Sequence, residues 1–596
     1  MSNANWTVCN IKGDFEGLSQ RHRISKRLAR IMVNRGIDTD EAVRRYLNGT
    51  LSDLYAPELL RDMDKAVAIL KKTLTAGEKL FIIGDYDIDG VCASYILKKG
   101  FRTICQKALS FEEDSLKEMI RVRLPDRQKD GYGMNRKMVE EAVSFGASLI
   151  VTCDNGIAAC EEIRYAKERG LSVIVTDHHE VPFEEKEGEK QYILPPADAV
   201  IDPKRPDCSY PFEGICGGVV AYKLIASLFQ AFSIEETALS ELLCFAAFAT
   251  VGDIMELTDE NRIIVKYGLA EMGKGHNPGL HALIRATGLN PGGITPYHVG
   301  YVLGPCINAT GRLDLADRAL RLFEAEDENE AAVIAGELRT LNDSRKEMQL
   351  FYTEKAVSLL ETDPTYQNEK VIVVYLPECH ESLAGLIAGK LRERFEKPTI
   401  VLTDAAEGAK GSGRSIEAYD MYAELNKCRD LFTKFGGHKM AAGLSMAAED
   451  IGTLRQRLNE NTTLREQDLV KKFRADMQLD IKGATLDFVK ELERLSPYGN
   501  GNPKPLFVEK NLRIVRMQVM GKNKNVLKLS VAPAALFEGD KLSDWSALHE
   551  AIYYGDAPAL EAELSGKREI MLMFELAVNV YMGSENVQLV IRDYKV

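Results

Sequence analysis

Asp85, Asp87 and Asp89 occupy alternate positions in "FIIGDYDIDGVCAS" (81–94), directly after an apolar run. Three carboxylates this close repel one another unless cations sit among them. Other acids recur in the same setting: Asp154 in "CDNG", Asp177 ahead of His178 and His179 in "TDHHE", and Asp253 in "VGDIMEL". Carboxylates with imidazole suit Mn²⁺ or Mg²⁺. Two such ions about 3.5–4 Å apart lower the pKa of a water, align it with a phosphorus and stabilise the leaving oxygen. A single aspartate after a strand is most often a helix cap. A His pair behind an acid, three alternate acids and a "DNG" turn together exceed capping chemistry, and the expected reaction is two-metal phosphodiester hydrolysis.

The acids need a scaffold that gathers them. "KLFIIG", "ASLIVT", "LSVIVT" and "DAVI" are short apolar runs, each followed within a residue or two by an acid or by the Cys153–Asp154 pair. Helix-like stretches such as "IAACEEIRYAKERG" lie between them. Alternation of this kind predicts a parallel sheet covered on both faces, with ligands bound at the carboxyl ends of its strands. From 331 to 348 apolar residues recur at 331, 334, 338, 341 and 348, which predicts a long connecting helix. A second α/β pattern starts at "VIVVYLP" (371–377), and short strands beyond about residue 470 predict a small β-barrel or sandwich.

At 596 residues the chain is too long for one core. Apolar residues make up 45% and charged residues 28%, which excludes disordered and collagen-like classes. The N-terminal stretch has neither a basic leader nor an apolar h-region, and no apolar run reaches about 18 residues, so a cytoplasmic protein with no membrane association is expected. Eleven cysteines form no CxxC pair, as expected of reduced, buried thiols. A net charge of −13 argues against coating nucleic acid by bulk electrostatics. One segment is locally basic: Lys504, Lys510, Arg513, Arg516, Lys522, Lys524 and Lys528 against the single acid Glu509.

In this order the motifs resemble the DHH phosphoesterase superfamily, and within it the RecJ-type single-stranded-DNA-specific exonucleases. The likeness runs from about residue 50 to Val596. It takes in "LPDRQKDGYGMN" (124–135), "GPCINATGRL" (304–313), "GSGRS" (411–415), "FGGHKMAAGLS" (435–445) and "SPYGNGNPKPLF" (496–507). The resemblance implies two parallel-sheet α/β domains joined by a long helix around a cleft, followed by an OB-fold barrel. The implied division is a lead segment (1–55), a DHH domain (56–270), a helical connector (271–360), a DHH-associated domain (361–465) and a nucleic-acid-binding OB domain (466–596).

By the same resemblance Asp85, Asp87, Asp89, Asp154, His178 and Asp253 are metal ligands for two ions, with Asp154 the bridge. His179 helps to stabilise or protonate the scissile group, Asp177 orients the imidazoles, and His438 with Gly436 and Gly437 faces the metals. Arg127, Ser412 and Arg414 hold a 5′-terminal phosphate, and Asn308 and Arg312 belong to the substrate-binding set. A bidentate grip on the terminal phosphate sets 5′→3′ polarity, and a narrow passage excludes duplex. The implied activity is stepwise release of 5′-mononucleotides from single-stranded DNA in repair and recombination, with a helicase and a single-strand-binding protein as partners.

Three positions depart from the family pattern. Cys306 replaces a basic residue, Ser382 stands where glycine is usual, and "RVRLPDR" lacks an aromatic pair. Two other readings use the same residues. One is an oligoribonuclease or cyclic-dinucleotide phosphodiesterase acting on short substrates, against which the C-terminal β domain argues. The other is a DNA-binding scaffold with a decayed centre, against which the full acid and His set argues.

Overall fold

The computed structural model describes residues 4–127, 129–131, 133–186 and 188–596; Gln128 and Tyr132 of the 124–135 motif lie outside them. The chain forms two units. One comprises residues 45–345 with 497–503, and the other residues 1–44, 346–496 and 504–596.

The first unit is built on five strands, β1 (Leu80–Ile83), β2 (Ile120–Arg123), β3 (Leu149–Cys153), β4 (Ser172–Thr176) and β5 (Ala199–Ile201). They lie in the order β2-β1-β3-β4-β5, every pair parallel. β1 explains why these runs are uninterrupted. Leu80 and Ile82 join one buried cluster and Phe81 and Ile83 the other, so both faces of the strand are in a core. The helices that matter for the site are α1 (Ile88–Lys107), α2 (Gly217–Ala231), α3 (Ser240–Gly252) and α4 (Gly304–Leu313). The predicted long helix is α5 (Glu328–Thr362), which buries Ala331, Ile334 and Leu338. Among the described residues no helix is long and apolar enough to cross a membrane.

In the second unit β6 (Ile372–Tyr375), β7 (Thr399–Asp404), β8 (Ala409–Arg414), β9 (Phe432–His438) and β10 (Ala441–Met446) form a sheet in the order β9-β10-β8-β7-β6. The expected parallel pairing holds for β6 and β7, which are linked through the helix Ala384–Phe395. The other three pairs are antiparallel. For the pairs β7–β8 and β9–β10 the reason is connection length. β7 to β8 and β9 to β10 are joined by short turns, and a parallel pair needs a crossover of a dozen or more residues.

The C-terminal strands are β11 (Phe507–Met520), β12 (Val526–Pro533), β13 (His549–Tyr554), β14 (Glu569–Tyr581) and β15 (Ser584–Lys595). Neighbours run β11-β12-β13-β15-β14, and β14 pairs back onto β11, which closes the sheet into a five-stranded barrel. Alternate residues Leu527, Leu529 and Val531 of β12 are fully buried inside it. Of the basic run, Lys510, Arg513 and Arg516 fall on β11 and Lys528 on β12, and the charge is partly neutralised: Arg513 pairs with Asp540 (3.2 Å) and Lys528 with Glu550. Both acids come from later in the chain, so the run overstated the local charge. The N-terminal residues join this unit: Asn5–Val8 pairs parallel with Lys472–Ala475, and Arg35 forms a largely buried ion pair with Asp476 (2.9 Å).

Candidate metal centre

The strand order of the first sheet reverses between β1 and β3, and at such a switch point the loops part to leave a crevice beyond the carboxyl ends. Asp85, Asp87 and Asp89 follow β1, Asp154 follows β3, and Asp177, His178 and His179 follow β4. Asp253 caps the end of α3. His178 Nε2 lies 3.1 Å from Asp154 Oδ1, 3.4 Å from Asp89 Oδ2 and 3.8 Å from Asp253 Oδ2. His179 Nδ1 lies 3.9 Å from Asp154 Oδ1. Among the described residues three overlapping groups have donor atoms within 4.8 Å of one another: Asp154/His178/His179, Asp89/His178/Asp253 and Asp85/Asp87/Asp154. Asp154 belongs to two of them, the place a bridging carboxylate would hold.

Local geometry fixes most of these side chains. Asp87 caps α1, its Oδ1 accepting from the backbone N–H groups of Asp89 (3.0 Å) and Gly90 (3.1 Å). The capping role and the position in the acid cluster therefore coexist. Asp89 accepts from the first N–H groups of α2, those of Gly217 (2.7 Å) and Gly218 (2.6 Å), so a helix N-terminus steadies it. Asn155 Nδ2 donates to the carbonyls of Ile83 (3.1 Å) and Cys153 (2.9 Å), tying the ends of β1 and β3 together. Asp177 Oδ1 accepts from the His178 N–H (2.8 Å) and contacts His179 Nδ1 (2.7 Å), while Oδ2 accepts from the Ile157 N–H (2.9 Å). Its contact with an imidazole is thus with His179, and with His178 through the backbone.

The electrostatics are those of a site built for cations. Burial and the neighbouring Asp87 charge push the Asp85 carboxyl well above its usual range. Burial with Asp89 does the same to Asp154 and raises Asp253 to about 8. Burial lowers the His178 imidazole, which favours the neutral, ligating form. For His179 burial acts downward, but the hydrogen bond and charge of Asp177 outweigh it and hold the group at about 9. Asp85 Oδ1 is buried without a hydrogen-bond partner among the described residues. An unsatisfied buried carboxylate oxygen, in an oxygen-rich set with imidazole, fits a pair of Mn²⁺ or Mg²⁺ ions.

The remaining predicted residues divide between the units. Arg127 places its guanidinium 5.2 Å from the Tyr86 ring. Burial raises the Tyr86 hydroxyl against the opposing charges of Arg127 and Arg312. Asn308, expected to bind substrate, accepts from the Ile88 N–H through Oδ1 (2.9 Å) and so braces the acid-bearing loop. In the second unit Ser412 and Arg414 lie two residues apart on β8, with Arg414 Nη1 donating to Ser412 Oγ (2.9 Å). Gly436, Gly437 and His438 lie on the edge strand β9, each exposed. Cys306 is buried, its thiol donating to the Val302 carbonyl (3.3 Å). Ser382 is buried beside His380 (2.7 Å).

Sequence reasoning gave Asp202 and Lys204 no part in the site. Asp202 follows β5, next to β4, and burial with the Asp177 charge raises it to about 7. Lys204 pairs with Glu180 (3.1 Å), and its charge lowers both His178 and Asp253. The signal was available in "DAVIDPK", where a base follows a strand-end acid by two residues.

Two consequences are measurable. Adding Mn²⁺ to metal-stripped protein should raise its thermal unfolding midpoint, with about 2.7 kcal/mol gained per site at a hundredfold excess over Kd. Chelator should reverse the shift. A Cβ at Gly90 would lie 2.5 Å from the Asp85 backbone nitrogen, so Gly90→Ala must displace the acid loop. Its expected cost is about 1–3 kcal/mol in urea unfolding, together with weakened Mn²⁺ binding.

Comparison with known proteins supplies a relationship. Residues 79–250 match the DHH family N-terminal domain, 368–463 the DHHA1 domain and 475–593 the RecJ OB domain. The chain is 34% identical over 582 residues to the single-stranded-DNA-specific exonuclease RecJ of Bacillus subtilis (strain 168), covering 97% of this chain and 69% of that protein. It is 30% identical over 583 residues to the RecJ of Escherichia coli (strain K12), covering 95% of each. The crystal structure of RecJ in complex with Mn²⁺ from Thermus thermophilus superposes with a TM-score of 0.80 at 25% identity, over 100% of this chain and 80% of that one. With its ordered domains, its strand-end acids and its His pair, this chain belongs to the RecJ family of DHH phosphoesterases.

Proposed function

We propose that this chain is a metal-dependent exonuclease that degrades single-stranded DNA from the 5′ end and releases 5′-mononucleotides. The observation that carries the reading is the convergence of Asp85, Asp87, Asp89, Asp154, His178 and Asp253 at one switch point. Held by those six residues, two divalent cations would supply Lewis-acid activation of the attacking water and neutralise charge on the phosphoryl oxygens.

The protein's own groups do the rest. In its protonated form, which the hydrogen bond and charge of Asp177 favour against burial, His179 offers its Nε2–H to a phosphoryl oxygen or to the departing 3′ oxygen. Asp177 orients that ring and stays ionised: burial acts to raise its carboxyl, but the hydrogen bonds from His179 and Ile157 outweigh burial. Arg127 and Arg312 add positive charge around Tyr86. Ser412 and Arg414, side by side on β8, are assigned the 5′-terminal phosphate, which a planar guanidinium grips through two donors. Asn308 acts by bracing the Ile88 backbone. Gly436, Gly437 and His438 present exposed backbone and imidazole on an edge strand, suited to phosphate contact. The barrel supplies a further surface for the strand. A helicase that opens duplex and a protein that covers single strands are the partner classes such a substrate requires.

The test is a time course on a 5′-phosphorylated, 3′-labelled single strand with Mn²⁺ or Mg²⁺, beside its duplex, an RNA copy and a dinucleotide. Progressive shortening from the 5′ end of the single strand alone is expected. Preferred cleavage of the dinucleotide would point instead to a small-substrate phosphodiesterase. Binding without cleavage under both metals would point to a scaffold.

A further inference from the structure

Asp253 sits where the chain would not by itself hold a ligand still. It closes the last turn of α3, and the chain reverses at Ile254, whose φ is 58°. The Ile254 N–H donates to the Val251 carbonyl (3.2 Å) and the Met255 N–H to the Thr250 carbonyl (3.0 Å). This is helix closure through a left-handed residue, a place that glycine usually fills. A β-branched side chain there is strained. The Ile254 side chain is 72% exposed, so its own packing does not offset that strain.

What holds the turn comes from residues 497–503, a segment almost 250 positions further along the chain that packs within this unit. Asn500 Nδ2 donates to the Ile254 carbonyl (2.7 Å), and the Asn500 carbonyl accepts from the Leu257 N–H (2.8 Å). The segment has its own anchors. Gly499 and Asn502 exchange backbone hydrogen bonds (3.0 and 3.1 Å), Asn502 Nδ2 donates to the Pro497 carbonyl (2.8 Å), and the Tyr46 hydroxyl donates to Asn502 Oδ1 (2.6 Å). At Gly501 φ is 70° and a Cβ would lie 2.8 Å from Glu256 Cβ, so the tip presses directly on the loop that follows Asp253.

We infer that Asn500 is a positioning residue for the metal centre, clamping the strained turn at Ile254 so that Asp253 stays turned toward His178 and Asp89. The inference rests on the metal-site reading given above. It also accounts for the "YGNGN" spacing, which neither ligand nor substrate chemistry explains. Backbone strain beside a functional group persists only where surrounding structure over-determines it, and the two Asn500 hydrogen bonds do that here.

The experiment titrates Mn²⁺ alone into the metal-stripped full-length chain by calorimetry, and measures kcat and KM separately on a 5′-phosphorylated single strand. The variants are Asn500→Ala, Asn500→Leu, which keeps bulk but loses the donor, Ile254→Gly, and Asn500→Ala combined with Ile254→Gly. Both Asn500 variants should weaken Mn²⁺ about tenfold and lower kcat by a similar factor, with KM unchanged. Ile254→Gly should bind as the parent does, and added to Asn500→Ala it should restore affinity to within about threefold, because glycine adopts the left-handed turn without a clamp. A merely structural Asn500 would lower the urea midpoint and leave the Mn²⁺ affinity of the folded protein unmoved. Unchanged affinity in Asn500→Leu, or no recovery in the double variant, overturns the inference alone. No Mn²⁺ binding by the parent chain overturns the metal centre and the inference with it.

Discussion

Asp154→Asn is expected to lower single-strand nuclease activity by about 10³-fold or more while making the metal-free protein more stable, not less. Asp154 lies in two of the three ligand groups, so its loss disturbs both candidate ion positions. Its φ is 60°, and asparagine accepts that left-handed conformation where alanine would add strain. The gain in stability follows from relieving repulsion among buried acids. The sign depends on pH. The raised carboxyl groups of Asp85, Asp154 and Asp253 favour the protonated form in the fold, so the stability they contribute is complete below the unfolded carboxylate range. It is lost as pH rises through their folded values, with Asp253 at about 8. Urea unfolding of metal-stripped parent and variant should therefore show a larger advantage for the variant at pH 8 than at pH 4. In excess Mn²⁺ the order should reverse, since only the parent gains binding energy. Equal stability at both pH values would remove the repulsion argument.

Arg414→Ala should cut kcat/KM on a 5′-phosphorylated strand by about 10²–10³-fold, the worth of a pair of charge-assisted hydrogen bonds. On a 5′-hydroxyl strand the loss should be under about threefold, because the deleted group has nothing to grip. The same comparison with Arg414→Lys separates charge from geometry: a lysine keeps the charge but not the planar fork, and should recover only part of the loss. Ser412 shares the strand face with Arg414 and accepts from it at 2.9 Å, so Ser412→Ala should act in the same direction with a smaller effect. An equal fall on both strands would assign Arg414 to general backbone binding and leave the 5′ end to other residues.

Much of the centre was legible in the chain because five of the six candidate ligands, all but Asp253, sit within a few residues of the strand that places them. An apolar run buried on both faces announces a central parallel strand, and the acid after it must emerge at the carboxyl edge. That reasoning located Asp85, Asp87, Asp89, Asp154 and His178 without tertiary information, and the three groups of donors within 4.8 Å are their meeting point. The long helix was legible for a similar reason, since its buried positions repeat at helical spacing.

Local pattern was weaker wherever a residue's partner is distant in sequence. Lysines and arginines of 504–528 read as a locally basic segment, but Arg513 and Lys528 meet Asp540 and Glu550 across turns and strands. The bond from the Ile88 N–H to the Asn308 carbonyl oxygen spans 220 residues and left no local mark. Nothing in the first strand-like residues Asn5–Val8 foretold that they would pair with Lys472–Ala475.

The chemistry of this protein is written in residue type and short-range spacing: which side chains carry charge, which strand ends they follow, and hence that divalent metal and phosphate belong together in it. Two features are invisible at that range and exist only in the folded chain. They are the strand order that opens the switch point between β1 and β3, and the Asn500 clamp on Ile254. Each depends on which distant segments pack together, a result of burying two cores at once, and no local pattern of residues records it.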